Sequence, residues 1–401
     1  MKIVEINTVN GMGSTGKIAV SLYKLAENSG HTVYIAYGRG TSPIDVNSYK
    51  IGNFLDFGTH VLSNFFLGNS GFASKAATKR FLNWLDTIQP DILHLHNLHG
   101  FYLNVELLFH YIKLHNIPVV WTLHDCWAFT GQCAHFDYIN CRKWQEECCS
   151  CLIYRTDYPY SLFKDNSRQN YKLKKSAFTG VKNMTIITPS TWLTNLVKKS
   201  YLSNYPVQLI YNGIDLNIFK SLSVSNNSLI GKKILLGVAN VWTIKKGWNF
   251  FLQLADIVDN TFHIVLIGVN KKQQLMLNKN YPNKITAITR TSNQQELVEW
   301  YNAAYVFVNP TLEDNFPTTN LEALACGTPV ITFDTGGSPE CINDTCGIVV
   351  EKGNLTKLKE AILSLESNTE ITSSACREQA MKYNKDILFS RYLELYKNII
   401  H

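Results

Sequence analysis

The chain has 401 residues, of which 45% are hydrophobic, 12% aromatic and 17% charged; at roughly 150 residues per domain this predicts two domains and excludes fibrous, low-complexity and disordered classes. The formal charge of +7 is lodged in the first half, where residues 1–200 carry 20 Lys/Arg against 13 Asp/Glu. No uncharged apolar run reaches the roughly 18 residues that cross a bilayer, and Glu5 breaks the opening Ile3-Val4-Glu5-Ile6 where a signal peptide is apolar, so a cytoplasmic protein is expected.

Lys2 to Asn7 reads as a short buried strand, followed by a glycine turn and a helical pattern from Lys17 to Ala26. The turn, Gly11-Met12-Gly13-Ser14-Thr15-Gly16-Lys17-Ile18, has the outline of a phosphate-binding P-loop, but Ile18 stands where Ser or Thr must hold magnesium, so nucleotide hydrolysis is not expected. Small residues at Gly13 and Ser14 still let backbone amides approach an anion at a helix N-terminus; a tight turn without ligand is the plainer reading. Strand candidates then recur at Val33–Tyr37, Ile92–His96, Val119–Leu123 and Met184–Ile187, with helical spacing at Ala76–Ile88 and Val105–Leu114. This alternation predicts a parallel sheet covered by helices on both faces. An aromatic stretch around Phe54, Phe57, Phe65, Phe66 and Phe72 fits either helix packing or a lipid-facing surface.

His94 and His96 share one face of their strand, and metal binding there is not expected because no carboxylate cluster accompanies them in sequence. His124 and Asp125 close the strand at Leu123. Six of the ten cysteines fall between 126 and 151, and Cys133, Cys141, Cys148 and Cys151 end in Cys-x-x-Cys; in a reducing compartment this spacing suits structural zinc better than disulfides. Residues 151–200 hold nine basic and two acidic side chains, including Lys172, Lys174 and Lys175, which read first as a solvated helix face and second as a contact for anionic lipid or nucleic acid.

After Tyr211-Asn212-Gly213-Ile214-Asp215, a turn-rich domain exit, the alternation restarts with Ile234–Val238, Phe262–Ile267, Ile285–Ile288, Val306–Asn309 and Val330–Phe333. Helical spacing lies near Trp248–Val258, Gln295–Ala303 and Thr319–Ala325, and again at Leu355–Leu365 and Asp386–Ile400. The expected architecture is α/β with two Rossmann-like doubly wound domains facing a cleft: a first domain 1–205 with a Cys-rich insertion 126–151, a second domain 206–383, and a helix 384–401 packing back toward the first domain. The most informative stretch runs from Thr311 to Ile331. Thr319 and Glu322 have capping-box spacing, but capping does not require the acidic pair Glu313-Asp314 ahead of the helix.

The glycine turn, Leu123-His124-Asp125, Pro189-Ser190, Tyr211 to Asp215, Lys246-Gly247 and Asp314 through Glu322 with Ala325-Cys326-Gly327-Thr328-Pro329-Val330 occur in an order that resembles the retaining glycosyltransferases of family 4, which have the GT-B fold. Seven residues separate Asp314 from Glu322, as in the family's acidic pair, with Asp314 in place of the usual glutamate. The resemblance implies that Glu322 binds the ribose hydroxyls, that Asp314, Asn315 and Phe316 surround the donor sugar with the amide of Thr318 nearby, and that Lys246 binds the diphosphate. It also places His124 on the donor sugar or acceptor and the Gly13-Ser14 amides near the leaving group. The arginine that pairs with the family's lysine falls on Asn240, for which Lys245 is the expected substitute, and Pro317 lacks the amide that a glycine supplies in relatives.

The expected reaction is transfer of a sugar from a nucleotide diphosphate to a hydroxyl of a saccharide or lipid-linked saccharide, without a metal for catalysis, in bacterial-type polysaccharide or glycolipid assembly. An anionic membrane surface on the inner face of the cell membrane is a further expected partner, and nucleic acid is not. The alternatives are an epimerase or phosphorylase on the same fold, or a non-catalytic binding module with a degenerate site.

Overall fold

The computed structural model describes residues 1–222 and 231–400; residues 223–230, within the expected second domain, and His401, at the end of the expected last helix, lie outside them. Two units form. The first comprises Met1–Tyr211 and resumes at Phe389, and the second is Asn212–Leu388.

The first unit is built on seven strands: β1 (Lys2–Val9), β2 (Thr32–Arg39), β3 (Ser48–Lys50), β4 (Ile92–Leu95), β5 (Val119–Thr122), β6 (Met184–Thr188) and β7 (Val207–Leu209). They run parallel in the order β3-β2-β1-β4-β5-β6-β7. Every residue of β4, β5 and β6 is buried, as befits central strands covered on both faces. One face sends Val4, Ile6, Leu93, Leu95, Val119 and Trp121 into the main core. The opposite face is polar at its centre: Glu5 pairs in register with His94, and His94 with Val120, so Glu5, His94 and His96 stand on that side together. The last helix, Lys385–Ile400, covers it with Tyr392 and Tyr396.

Six strands make the second sheet: β8 (Lys233–Val238), β9 (Phe262–Ile267), β10 (Ile285–Ile288), β11 (Val306–Asn309), β12 (Val330–Phe333) and β13 (Gly347–Val350). These too are all parallel, ordered β10-β9-β8-β11-β12-β13. In each sheet the chain reverses direction of growth once, between β1 and β4 and between β8 and β11. Ligands of doubly wound sheets bind beyond the carboxyl ends of the strands at such a point. There the first sheet carries the Gly11–Gly13 turn and His96–His99, and the second carries Asn240–Lys246 and Pro310–Asp314.

Two local expectations are corrected. The first helix begins in the glycine turn itself, at Gly13, and runs to Asn28. The helix after β11 spans Thr318–Ala325 with Pro317 at its N-cap and no side-chain cap, so Thr319 lies inside the helix and the capping-box reading of Thr319 and Glu322 does not apply. No helix among the described residues is long and apolar enough to cross a membrane.

Candidate active site

In the second unit two loops are fastened together at the switch point. Gly247 takes a left-handed conformation (φ +84), and a Cβ there would meet Pro310, so only glycine lets the β8 loop approach the β11 loop so closely. The carbonyl of Lys245 accepts from the Leu312 amide at 2.7 Å and from Thr311 Oγ1 at 3.3 Å. This zipper presents two lysines to two carboxylates. Lys245 Nζ lies 2.8 Å from Glu313 Oε2 and Lys246 Nζ 2.6 Å from Asp314 Oδ2, while Asp314 Oδ1 accepts from the amide of Asn315 at 2.9 Å. The pairs differ in burial. Glu313 is 4% exposed, so its charge needs a fixed neutralising partner, and Lys245 supplies it. Lys246 is 40% exposed and the more available of the two cations.

The helix beyond the acidic pair is pinned by an asparagine network. Asn320 accepts from Asn309 Nδ2 at 2.8 Å and donates to both the carbonyl and the Oγ of Ser338 at 3.1 Å, and Ser338 Oγ meets Thr332 Oγ1 at 2.7 Å. The carbonyl of Phe316 accepts from Asn212 Nδ2 at 3.3 Å. With no side-chain cap, the amides at Thr318 and Thr319 are left to whatever anion approaches the helix start. Glu322 is held by the hydroxyl of Tyr301, which donates to its Oε2 at 2.8 Å. Tyr301 is fully buried, and burial followed by the Glu322 charge pushes its phenol well above the ordinary range. The sequence gives no pointer to Tyr301, whose helix, Gln294–Ala303, precedes β11. Asn240 lies exposed just past β8.

In the first unit, His124 follows β5 and its Nε2 meets His96 Nδ1 at 3.0 Å, with the two rings stacked at 5.3 Å. Behind them His96 Nε2 faces Glu5 Oε2 at 3.5 Å, and His94 is bracketed by Thr122 Oγ1 at 2.8 Å and Tyr396 Oη at 2.6 Å. The absence of a nearby carboxylate expected for His94 and His96 is thus corrected: Glu5 is there, and the donor atoms of all three lie within 4.8 Å of one another. Its signal was present as one acidic residue inside an apolar strand. Burial raises the Glu5 carboxyl well above its usual range and lowers the His96 imidazole well below it, which favours the neutral pair with its proton on Glu5. Burial likewise lowers His124, against the opposing pull of Asp125. Asp125 accepts from His99 Nε2 at 2.7 Å and from the amide of Trp127 at 2.9 Å; burial raises its carboxyl but His99 prevails, and it settles at about 2. Gly13 and Ser14 are exposed at the helix start, where again no side chain caps the first amides.

Lys174 is corrected from a solvated basic face to the interior. Fully buried, it donates to the carbonyls of Trp127 at 2.8 Å and Thr130 at 3.0 Å, and its ammonium sits 3.6 Å above the Trp127 ring. Cys133 and Cys148 are buried, Cys141 and Cys151 partly so, and all four line one cavity of about 260 Å3.

The two parallel sheets, each with its switch point, define the GT-B class, and solved structures of that class align over the whole chain. Sucrose-phosphate synthase from Thermosynechococcus elongatus does so with a TM-score of 0.72 at 15% identity, covering 99% of this chain and 98% of its own. HepE from Anabaena, solved in complex with UDP, gives 0.69 at 13% identity, covering 99% and 100%. Residues 16–218 match Glycosyltransferase Family 4 and residues 232–368 match Glycosyl transferases group 1, and the chain belongs to glycosyltransferase family 4. Over the full length of both chains it is 23% identical to WcaC of Escherichia coli (strain K12), named as a colanic acid biosynthesis glycosyl transferase. A Campylobacter jejuni enzyme named as an N,N'-diacetylbacillosaminyl-diphospho-undecaprenol alpha-1,3-N-acetylgalactosaminyltransferase is 26% identical over 45% of this chain and 49% of its own.

Proposed function

We propose that this glycosyltransferase moves a sugar from a nucleotide diphosphate to an acceptor hydroxyl with retention of anomeric configuration, in the assembly of a cell-surface polysaccharide or glycolipid. The observation that carries this reading is the pair of lysines facing Glu313 and Asp314 at the switch point between β8 and β11. In the reaction the bond between the anomeric carbon and the β-phosphate oxygen breaks, the acceptor oxygen bonds to that carbon, and the acceptor proton passes to the leaving phosphate. Charge builds on the diphosphate, so the groups that matter are cations and oriented amides placed where it builds. Lys246 and the uncapped amides of Thr318 and Thr319 supply them, so the transfer proceeds without a divalent metal. Lys245 is already engaged by a buried carboxylate, which leaves Lys246 the larger share where the family's arginine is replaced by Asn240. Glu322, Asn315 and Phe316 hold the nucleoside and sugar, and the family resemblance alone assigns ligand roles to His124, Gly13 and Ser14. His96, backed by Glu5, fixes the ring of His124.

A thermal-shift screen against nucleoside diphosphates and their sugar conjugates tests this. One base is expected to raise the melting temperature by a few degrees, since saturation to 100 times Kd adds about 2.7 kcal/mol. No shift with any of them at millimolar concentration would refute the reading.

The partner on the acceptor side is an anionic membrane surface. The helix Phe54–Leu67 turns the usual amphipathic rule around: its buried residues are His60 and Asn64, tied to Ser74 Oγ and to the carbonyl of Tyr160, while Phe54, Leu55, Leu62, Phe66 and Leu67 are exposed. Phe163 extends the apolar face by stacking on Phe66 at 5.1 Å, and exposed Lys164 follows it. Apolar rings beside a cation suit an interface of acyl chains and anionic headgroups. Co-sedimentation with phosphatidylglycerol vesicles is expected for the native protein and should fall at least several-fold in Phe54→Ser/Phe66→Ser; equal pelleting of the two would count against it.

A further inference from the structure

Leu123 and the helix Ser167–Phe178 are joined by more than forty residues whose regular structure, among the described residues, is three single turns, Trp127–Phe129, Asp137–Ile139 and Lys143–Gln145. Ordered connections of this length need something to hold them. The segment carries Tyr158, whose hydroxyl lies 3.3 Å from His99 Nδ1, and His99 in turn holds Asp125, so its shape bears on the His124-Asp125 corner.

Five of its six cysteines, Cys133, Cys141, Cys148, Cys149 and Cys151, line one cavity. The spacing that ends in Cys-x-x-Cys selects four of them, Cys133, Cys141, Cys148 and Cys151. The backbone at residue 131 packs directly on this group, and only glycine fits there, since a Cβ would meet the Ser167 carbonyl and the Cys148 side chain. Main chain this close to the sulfurs can supply the outer-shell amide donors that zinc-bound cysteines receive. The cavity is lined by Phe136, Trp144 and Ile153 but also by Gln132, Arg142 and Lys143, and burial lowers the pKa of the neighbouring Lys174.

We propose that Cys133, Cys141, Cys148 and Cys151 bind one zinc ion as a tetrathiolate, with the Lys174 ammonium offsetting part of its charge. Four thiols release four protons to solvent and one Zn2+ enters, giving a centre of net charge −2 whose field favours the protonated form of the neighbouring Lys174. Among the described residues the ligand set with donor atoms within 4.8 Å of one another is Glu5–His94–His96 and not these thiols, so binding draws the four sulfurs inward. The histidine set is the poorer candidate, because both nitrogens of His94 and Nδ1 of His96 already have partners. This inference does not depend on the transfer reaction proposed above.

Plasma mass spectrometry of the purified full chain is expected to find about one zinc per chain. Cobalt-substituted protein should show the intense visible absorption of a tetrahedral tetrathiolate. Cys133→Ser and Cys148→Ser should fall to background metal, whereas Cys149→Ser and Cys126→Ser, from the same segment, should keep a full complement. If the serine variants fail to fold, Cys151→His supplies a foldable alternative that should retain zinc. Lys174→Met should keep the stoichiometry but lose zinc to a competing chelator at about tenfold lower chelator concentration. Folded protein free of zinc that takes up none when it is added, a disulfide between any two of the four, or metal loss in Cys149→Ser equal to that in Cys148→Ser would each overturn the proposal.

Discussion

Glu322→Ala is expected to lower kcat/KM for sugar transfer by about 10²-fold or more and to weaken binding of the nucleoside diphosphate in parallel, because a carboxylate accepting from two ribose hydroxyls contributes on the order of 3 kcal/mol. The alanine variant alone is an ambiguous test. Glu322 also accepts from the hydroxyl of Tyr301, which is fully buried, and removing that acceptor leaves a buried donor unsatisfied at a cost of about 1–3 kcal/mol in stability. Glu322→Gln separates the two effects. Its amide oxygen keeps the Tyr301 bond and so the melting temperature, yet it carries no charge and only one acceptor oxygen, so titration calorimetry should still show weakened nucleotide binding. Native affinity in the glutamine variant would remove Glu322 from the donor site and leave it a structural partner of Tyr301.

The strand and helix alternation was legible because parallel strands buried on both faces are short apolar runs, and β4, β5, β6, β9 and β12 are of that kind. Two strands escaped. β3 is an edge strand of Ser48-Tyr49-Lys50 with no apolar run, and β13, Gly347–Val350, exposes Val349 to solvent. The site was legible where its chemistry is local in sequence, as in Lys245-Lys246 and Glu313-Asp314. It was not where partners come from distant elements: Tyr301 for Glu322, Glu5 for His96, and the Trp127 and Thr130 carbonyls for Lys174. Composition misled at Lys174, because a lysine in a basic helical stretch is normally solvated and only tertiary packing turns this one inward. For the helix Phe54–Leu67 the aromatic spacing left packing and an outward apolar face equally open, and the hydrogen-bonding needs of His60 and Asn64, which claim the interior, decide for the outward face.

Lys246→Ala is expected to reduce kcat by about 10²–10³ while donor KM changes by a smaller factor, since the ammonium counts most when the diphosphate gains charge on leaving. Without ligand this ammonium lies on Asp314, so donor binding must exchange one anion for another, and the ground state gains less than the transition state. The fold should tolerate the change. Asp314 is 20% exposed and its partner 40%, so water replaces the lost pair at a cost near that of an ordinary surface ion pair, about 1 kcal/mol or less. Lys245→Ala is the contrasting case, for it removes the lysine from a carboxylate that is only 4% exposed. That loss should appear as a few kcal/mol in denaturant unfolding, before any kinetic effect is assigned. If instead Lys246→Ala raises donor KM and spares kcat, the lysine anchors the substrate only, and stabilisation of the leaving group falls to the amides at Thr318 and Thr319.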